Sequence, residues 1–297
     1  MAIQNFISQH KLPSVFESVA VQFYSRLGEW IRQKKGEGPI VIGVNGAQGS
    51  GKSTLADYLK HYLQENYQWN TAILSIDDLY LTQHERKIKS ESVHPLFATR
   101  GVPGTHDVKL GLDVLHRLKK LDADEVVAVP KFSKLIDDRL PDSKWERVKG
   151  PVDLILFEGW CVGSVPQYQS ELTEPINDLE KEKDIDGRWR QTVNDYLTAE
   201  YAELFELLDM LVFIQVPCIQ SVYKWRLEQE IKTISKEKKQ LDKTAYFSAK
   251  EKINNFVPYF ERITQHNLSV MPLLCDVYIQ LDLDHTVTQL IIKDDSG

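Results

Sequence analysis

Five short apolar runs punctuate the chain, at residues 40–45, 71–76, 152–157, 210–216 and 276–282. Most are rich in Val, Ile and Leu without alternation, the pattern of strands covered on both faces. Between them apolar residues recur at helical spacing, most clearly over 53–66, 107–121 and 219–234. Strands alternating with helices predict an α/β fold with a mostly parallel, five-stranded, doubly wound sheet. Ligands of such sheets sit beyond the carboxyl ends of the strands. Ahead of the first strand, Phe16, Val19, Ala20, Phe23, Leu27, Trp30 and Ile31 predict a helix across 14–33, ended by Gly36-Glu37-Gly38-Pro39. That helix either packs on the core or offers a dimer face, and the oligomeric state stays open. We read 1–297 as a single domain with a helical extension over 1–36. Two polar stretches, 164–200 and 228–255, are expected to be mobile. The first carries Glu180-Lys181-Glu182-Lys183-Asp184 and the second Lys236-Glu237-Lys238-Lys239. Each reads as solvated helix or loop, or, for the second, as part of a lid.

The chain's 297 residues and 42% apolar content suit a globular protein with a sizeable core. A net charge of −7 argues against a nucleic-acid partner, which calls for a basic face. Cys161, Cys218 and Cys275 are far apart and form no C-x-x-C, so neither a zinc ribbon nor a disulfide framework is expected. No apolar run approaches membrane-spanning length, and the first residues lack the basic-then-apolar design of a secretion signal. A cytoplasmic protein is the expectation.

Chemistry enters with Gly46-Ala47-Gln48-Gly49-Ser50-Gly51-Lys52-Ser53-Thr54, which fits G-x-x-x-x-G-K-[ST]. An apolar strand precedes it and a helical pattern follows, the context that a phosphate-binding loop requires. Its amides and the following helix N-terminus suit phosphate oxygens. Lys52 is expected at the β/γ-phosphates and the Ser53 hydroxyl on Mg²⁺. The fold expected is therefore the three-layer P-loop NTPase fold with a helical lid.

Carboxylates follow two of the other strands. Asp77 and Asp78 close the second run; Asp77 either orients and deprotonates an acceptor hydroxyl or caps a turn, and Asp78 either serves the metal or caps. Glu158 follows the third run in the shape of a Walker B element, holding Mg²⁺ unless it forms a structural ion pair. Thr99 to Asp107 is a Gly/Pro-punctuated loop that either presents Arg100 and His106 to an anion or merely turns. Lys131, Lys134 and Arg139 fall within one short span that binds an anion or is a solvated turn. Arg226, after the fourth run, either closes over the transferring phosphoryl group or lies on an exposed helix face.

In fixed order these blocks resemble the D-glycerate 3-kinase family of P-loop kinases, related to uridine kinases and phosphoribulokinases. The resemblance rests on Gly46 to Thr54, Ser75-Ile76-Asp77-Asp78-Leu79-Tyr80-Leu81-Thr82, Arg100-Gly101-Val102-Pro103-Gly104-Thr105-His106-Asp107, Lys131 to Arg139, Phe157-Glu158-Gly159-Trp160-Cys161-Val162-Gly163, Trp225 to Glu230 and Phe256 to Thr264. It spans roughly residues 40 to 285. It implies ATP and Mg²⁺, and transfer to a hydroxyl of glycerate giving 3-phosphoglycerate. For such a kinase the residues read above give Asp77, Lys52 and Arg226 as the catalytic set, Arg100, His106, Lys134 and Arg139 as acceptor ligands, and Ser53, Glu158 and Asp78 around the metal. Ser133 departs from the family, which carries an acidic residue between the aromatic residue and the lysine. Alternatives from the residues alone are a kinase for another hydroxy acid or nucleoside-like acceptor, and a P-loop ATPase that switches a protein partner.

Overall fold

The computed structural model describes residues 2–237 and 243–293. Ten strands are present among them: β1 Ile40–Gly46, β2 Thr71–Ser75, β3 Val126–Val129, β4 Phe132–Ser133, β5 Asp138–Arg139, β6 Glu146–Lys149, β7 Leu154–Gly159, β8 Met210–Gln215, β9 Val277–Leu281 and β10 Val287–Ile292. Six form the central sheet in the order β10-β9-β8-β1-β7-β2. The five apolar runs supply β1, β2, β7, β8 and β9, all parallel. The sheet expected to have five strands has six. β10 returns antiparallel against β9 at the open edge. Its Val-Thr-Gln-Leu-Ile-Ile sequence is half exposed there, so it lacks the continuous apolar signature of a doubly covered strand.

Alternate residues of the sheet enter two cores on opposite faces. Ile40, Ile42, Val44, Leu154 and Leu156 pack with Leu27, Ile31, Leu55 and Leu59. Val41, Leu74, Ile155 and Phe157 pack with Val114, Leu118, Tyr201 and Leu204. Helices on both sides of a sheet give three layers. The leading helical stretch runs from Phe16 to Lys34 through a π-helical turn at Ala20–Tyr24. Phe16, Leu27 and Ile31 are buried, so it packs on the core.

The stretch 164–200 is not a wholly solvated run. Glu180, fully buried on the helix Asp178–Lys183, accepts from Arg262 Nε at 2.7 Å and Nη2 at 2.6 Å. Asp184 is also buried and accepts from Arg190 Nη1 at 2.9 Å. Charges that read as a solvated face in sequence are drawn inward by arginines, one of them on a distant helix, since a buried carboxylate needs a partner. Over 228–255 two helices, Ile219–Glu237 and Lys243–Phe256, lie against each other, with Lys252 Nζ 2.5 Å from Glu230 Oε1. Lys238 and Lys239 of the expected charge run lie outside the described residues.

Candidate active site

β1, at the centre of the sheet, runs straight into the phosphate loop. Gly49 and Gly51 adopt φ of +84° and +92°, backbone that residues with a Cβ reach only under strain. Gly51 then opens the helix Lys52–Tyr67, whose first amides have no partner within the helix. Lys52 Nζ folds back to donate to the Ala47 carbonyl at 3.2 Å. Burial lowers its pKa, while Glu158 and Asp77 pull it back up.

The neighbouring strand ends bring the carboxylates to this loop. In register, Glu158 of β7 lies between Val44 of β1 and Ser75 of β2. Glu158 is only 6% exposed, and Ser53 Oγ donates to its Oε1 at 2.8 Å. Burial pushes the Glu158 carboxyl up, tempered by Lys52. A hydroxyl and a buried carboxylate of this kind are the oxygen donors that suit a hard divalent cation, whose charge would offset the desolvation of Glu158.

After β2 the chain makes a 3₁₀ turn, Ile76–Leu79, which sends its two carboxylates in different directions. Asp77 lines the cavity. Its Oδ2 accepts from Lys134 Nζ at 2.6 Å and its Oδ1 from the Tyr80 hydroxyl at 2.9 Å. Burial alone raises the Asp77 pKa, but Lys134, Tyr80 and Lys52 outweigh it and hold it at about 2.

Asp78, expected near the metal, turns away. It accepts from Lys131 Nζ at 2.9 Å and from the Phe132 amide at 3.0 Å, and so anchors the β4–β5 hairpin. Arg139, expected on the acceptor, is also used internally, 3.1 Å from both Asp107 and the Tyr80 carbonyl. His106, expected to meet an anion, is 4% exposed, stacked on Tyr80 with ring centroids 4.5 Å apart and 2.6 Å from the Tyr201 hydroxyl. Burial lowers its pKa to about 3, so it is neutral and presents no charge to an anion. All three support the walls of the site.

The remaining expected residues converge. A cavity of about 260 Å³ is lined by Gln48, Gly49, Lys52, Ser53, Asp77, Arg100, Lys134, Glu158 and Arg226, and closed by Trp160, Phe256 and Phe260. Arg100 pairs with Asp137 at the tip of the β4–β5 hairpin, and Asp137 also holds Arg86 at 2.6 Å. Arg226 reaches the cavity from the helix Ile219–Glu237 and contacts Gln229. Ser133 sits opposite Asp138 in the hairpin and does not line the cavity. Gly46, Ser50 and Thr54 complete the loop, with Thr54 facing a second groove of about 490 Å³. Trp225 and His285 line that groove with ring centroids 4.4 Å apart, and the His285 ring meets the backbone of Gly49 and Ser50. Tyr80, Gln229, Phe260 and His285 were not singled out from sequence. Tyr80, Gln229 and Phe260 lie inside the blocks that carry the family resemblance, but nothing in the spacing signals His285, which arrives on the β9–β10 turn.

A family model described as the KAP family P-loop domain matches residues 21–268. The "Uncharacterized kinase mug58" of Schizosaccharomyces pombe is 36% identical over 209 residues, covering 67% of this chain and 73% of that protein. The "D-glycerate 3-kinase, chloroplastic" of Arabidopsis thaliana is 34% identical over 201 residues, covering 65% of this chain and 41% of that protein. Among solved structures, a D-glycerate 3-kinase from Cryptococcus neoformans shares the fold with a TM-score of 0.73 at 23% identity, over 95% of this chain and 100% of that one. No helix among the described residues is long and apolar enough to cross a membrane.

Proposed function

We propose that this chain, which belongs to the D-glycerate 3-kinase family of P-loop kinases, transfers the γ-phosphoryl group of ATP to the primary hydroxyl of D-glycerate. The observation that carries this reading is the cavity itself. One wall is the phosphate loop with Lys52, and the other offers an ionised carboxylate, Asp77, beside two cations, Arg100 and Lys134. A carboxylate beside a cation pair suits an acceptor that carries both a hydroxyl and a negative charge.

Lys52 and the loop amides hold the β/γ-phosphates, and Arg226 neutralises charge on the transferring group. The nucleoside end lies along the groove beside Trp225 and His285. Ser53 and Glu158 would hold Mg²⁺, which would supply neutralisation of the phosphate charge. Arg100 and Lys134 bind the acceptor carboxylate, which competes with Asp77 for the Lys134 ammonium. Asp77 then accepts the hydroxyl hydrogen bond and takes the proton as the acceptor oxygen bonds to γ-phosphorus and the bond to the ADP oxygen breaks. Holding Asp77 at about 2 makes it a weak base but an ionised one at neutral pH, so its main contribution is orientation. Ser133 stands off the cavity, which makes the family departure there compatible with the same acceptor.

The test is ADP formation from ATP and Mg²⁺ with D-glycerate, pantothenate and uridine offered separately. Turnover that answers to D-glycerate supports the reading. Turnover that answers only to another acceptor moves the substrate, and turnover that ignores all three rejects the reading.

A further inference from the structure

We propose that Gln48 is a catalytic residue that bridges donor and acceptor, its amide nitrogen donating to a γ-phosphoryl oxygen and its amide oxygen accepting from the acceptor's second hydroxyl, beside the one whose proton goes to Asp77. The inference rests on the kinase reading and adds a residue and a role to it. Gln48 lines the cavity between the phosphate loop and the Asp77 wall, yet both its Nε2 and its Oε1 are buried without a hydrogen-bond partner. A buried amide with both ends unpaired is costly, and in native structures water, an ion or a ligand completes such groups; here the amide faces the cavity that takes the reactants.

Four charged neighbours in the cavity are already engaged. Lys52 donates to the Ala47 carbonyl, Lys134 pairs with Asp77, Arg100 with Asp137, and Glu158 accepts from Ser53. Arg226 shares the condition of Gln48, since its Nε is likewise buried and unpaired. An ionised phosphoryl group offers only acceptors. It satisfies Arg226 Nε and Gln48 Nε2, and it leaves Gln48 Oε1 wanting a donor. The reacting hydroxyl gives its hydrogen to Asp77, so the acceptor's second hydroxyl supplies one. The pair of groups that completes this amide is therefore a phosphoryl oxygen and an alcohol side by side, which is the arrangement that precedes transfer. Fixing both partners with one short side chain on a rigid loop holds the acceptor oxygen near the phosphorus and makes water a poorer substitute.

The experiment compares wild type with Gln48→Ala and Gln48→Asn. It reads ATP affinity by nucleotide titration, kcat with the acceptor saturating, and the ratio of ADP to phosphorylated acceptor. Expected for Q48A are ATP affinity within threefold of wild type, a kcat lower by about 10- to 100-fold, the scale of a hydrogen bond to a charged group, and an ADP-to-product ratio raised above one. Q48N keeps both amide ends on a shorter stem and should recover part of the coupling. If Q48A does not retain ATP binding, Q48N carries the test, with lowered kcat at unchanged ATP affinity expected. Wild-type kcat and coupling in Q48A, or a loss confined to ATP affinity, overturns the proposal while leaving the kinase reading intact. A wild-type protein that phosphorylates no hydroxy acceptor overturns both.

Discussion

Replacing Asp77 by Asn separates catalysis from folding at a single atom. The carboxyl is held at about 2 against an ordinary 3.8, and folding therefore favours its ionised form. That contribution is present above the ordinary carboxylate range and is lost as pH falls through the folded value. Taken at face value the difference corresponds to roughly 2.5 kcal/mol at neutral pH. Screening reduces it, because the Lys134 side chain is 62% exposed and rehydrates readily when its partner loses charge. An exposed pair is worth about 1 kcal/mol or less, and the Tyr80 hydroxyl still finds an oxygen on Asn. The melting temperature should fall by about 2 °C, the shift for such a change in a chain of this size. Turnover should fall by about 10²- to 10⁴-fold, the range for loss of a positioned acid–base group. The assay pairs thermal melts with acceptor-dependent ADP release, and ATP affinity serves as the control. Near-normal turnover in a folded, ATP-binding variant refutes the role given to Asp77.

Three further outcomes are expected. Because burial raises the Glu158 pKa, its ionised form costs the fold stability as pH rises through the folded value; Glu158→Gln should raise the melting temperature of the metal-free protein at pH 7 and abolish any further rise on adding Mg²⁺. A metal response equal to wild type in that variant rejects Glu158 as the metal's carboxylate. Glu180→Ala strands the Arg262 guanidinium in the interior and should cost about 3–5 kcal/mol in urea unfolding, whereas a loss below about 1 kcal/mol would show that the 164–200 segment is not held by this pair. Lys134→Met should raise the acceptor KM by about 10-fold or more, the scale of a charge-assisted hydrogen bond, with the ATP KM unchanged; an unaltered acceptor KM removes Lys134 from the carboxylate.

The parallel strands were legible because burial on both faces writes an unbroken apolar run. The antiparallel β10 was not, since an edge strand mixes Thr and Gln with Leu and Ile. The phosphate loop was legible in its glycines and in the elements on either side of it. Asp77, Glu158, Arg100, Lys134 and Arg226 share one cavity because strand ends and loops converge there, which is a rule about topology rather than spacing. The same rule does not hold for Asp78, His106 and Arg139, which lie outside the cavity lining. Asp77 and Asp78 are adjacent in a tight turn, and which one faces the cavity depends on Lys131 and Phe132 more than fifty residues away. His106 is kept neutral by burial, walled in by Tyr80 and by Tyr201, the second 95 residues distant. Long-range partners of this kind also made 164–200 read as solvated, because Glu180 shows nothing of Arg262 in the local charge pattern.

The most direct test of the central claim is phosphorus NMR of the product formed from D-glycerate, ATP and Mg²⁺. Transfer to the primary hydroxyl leaves the phosphorus coupled to the two methylene protons of 3-phosphoglycerate, and that signal should grow in step with ADP. A signal coupled to a single methine proton would place the phosphate on carbon 2 and contradict the orientation given to Asp77. ADP accompanied only by inorganic phosphate would contradict the kinase account itself.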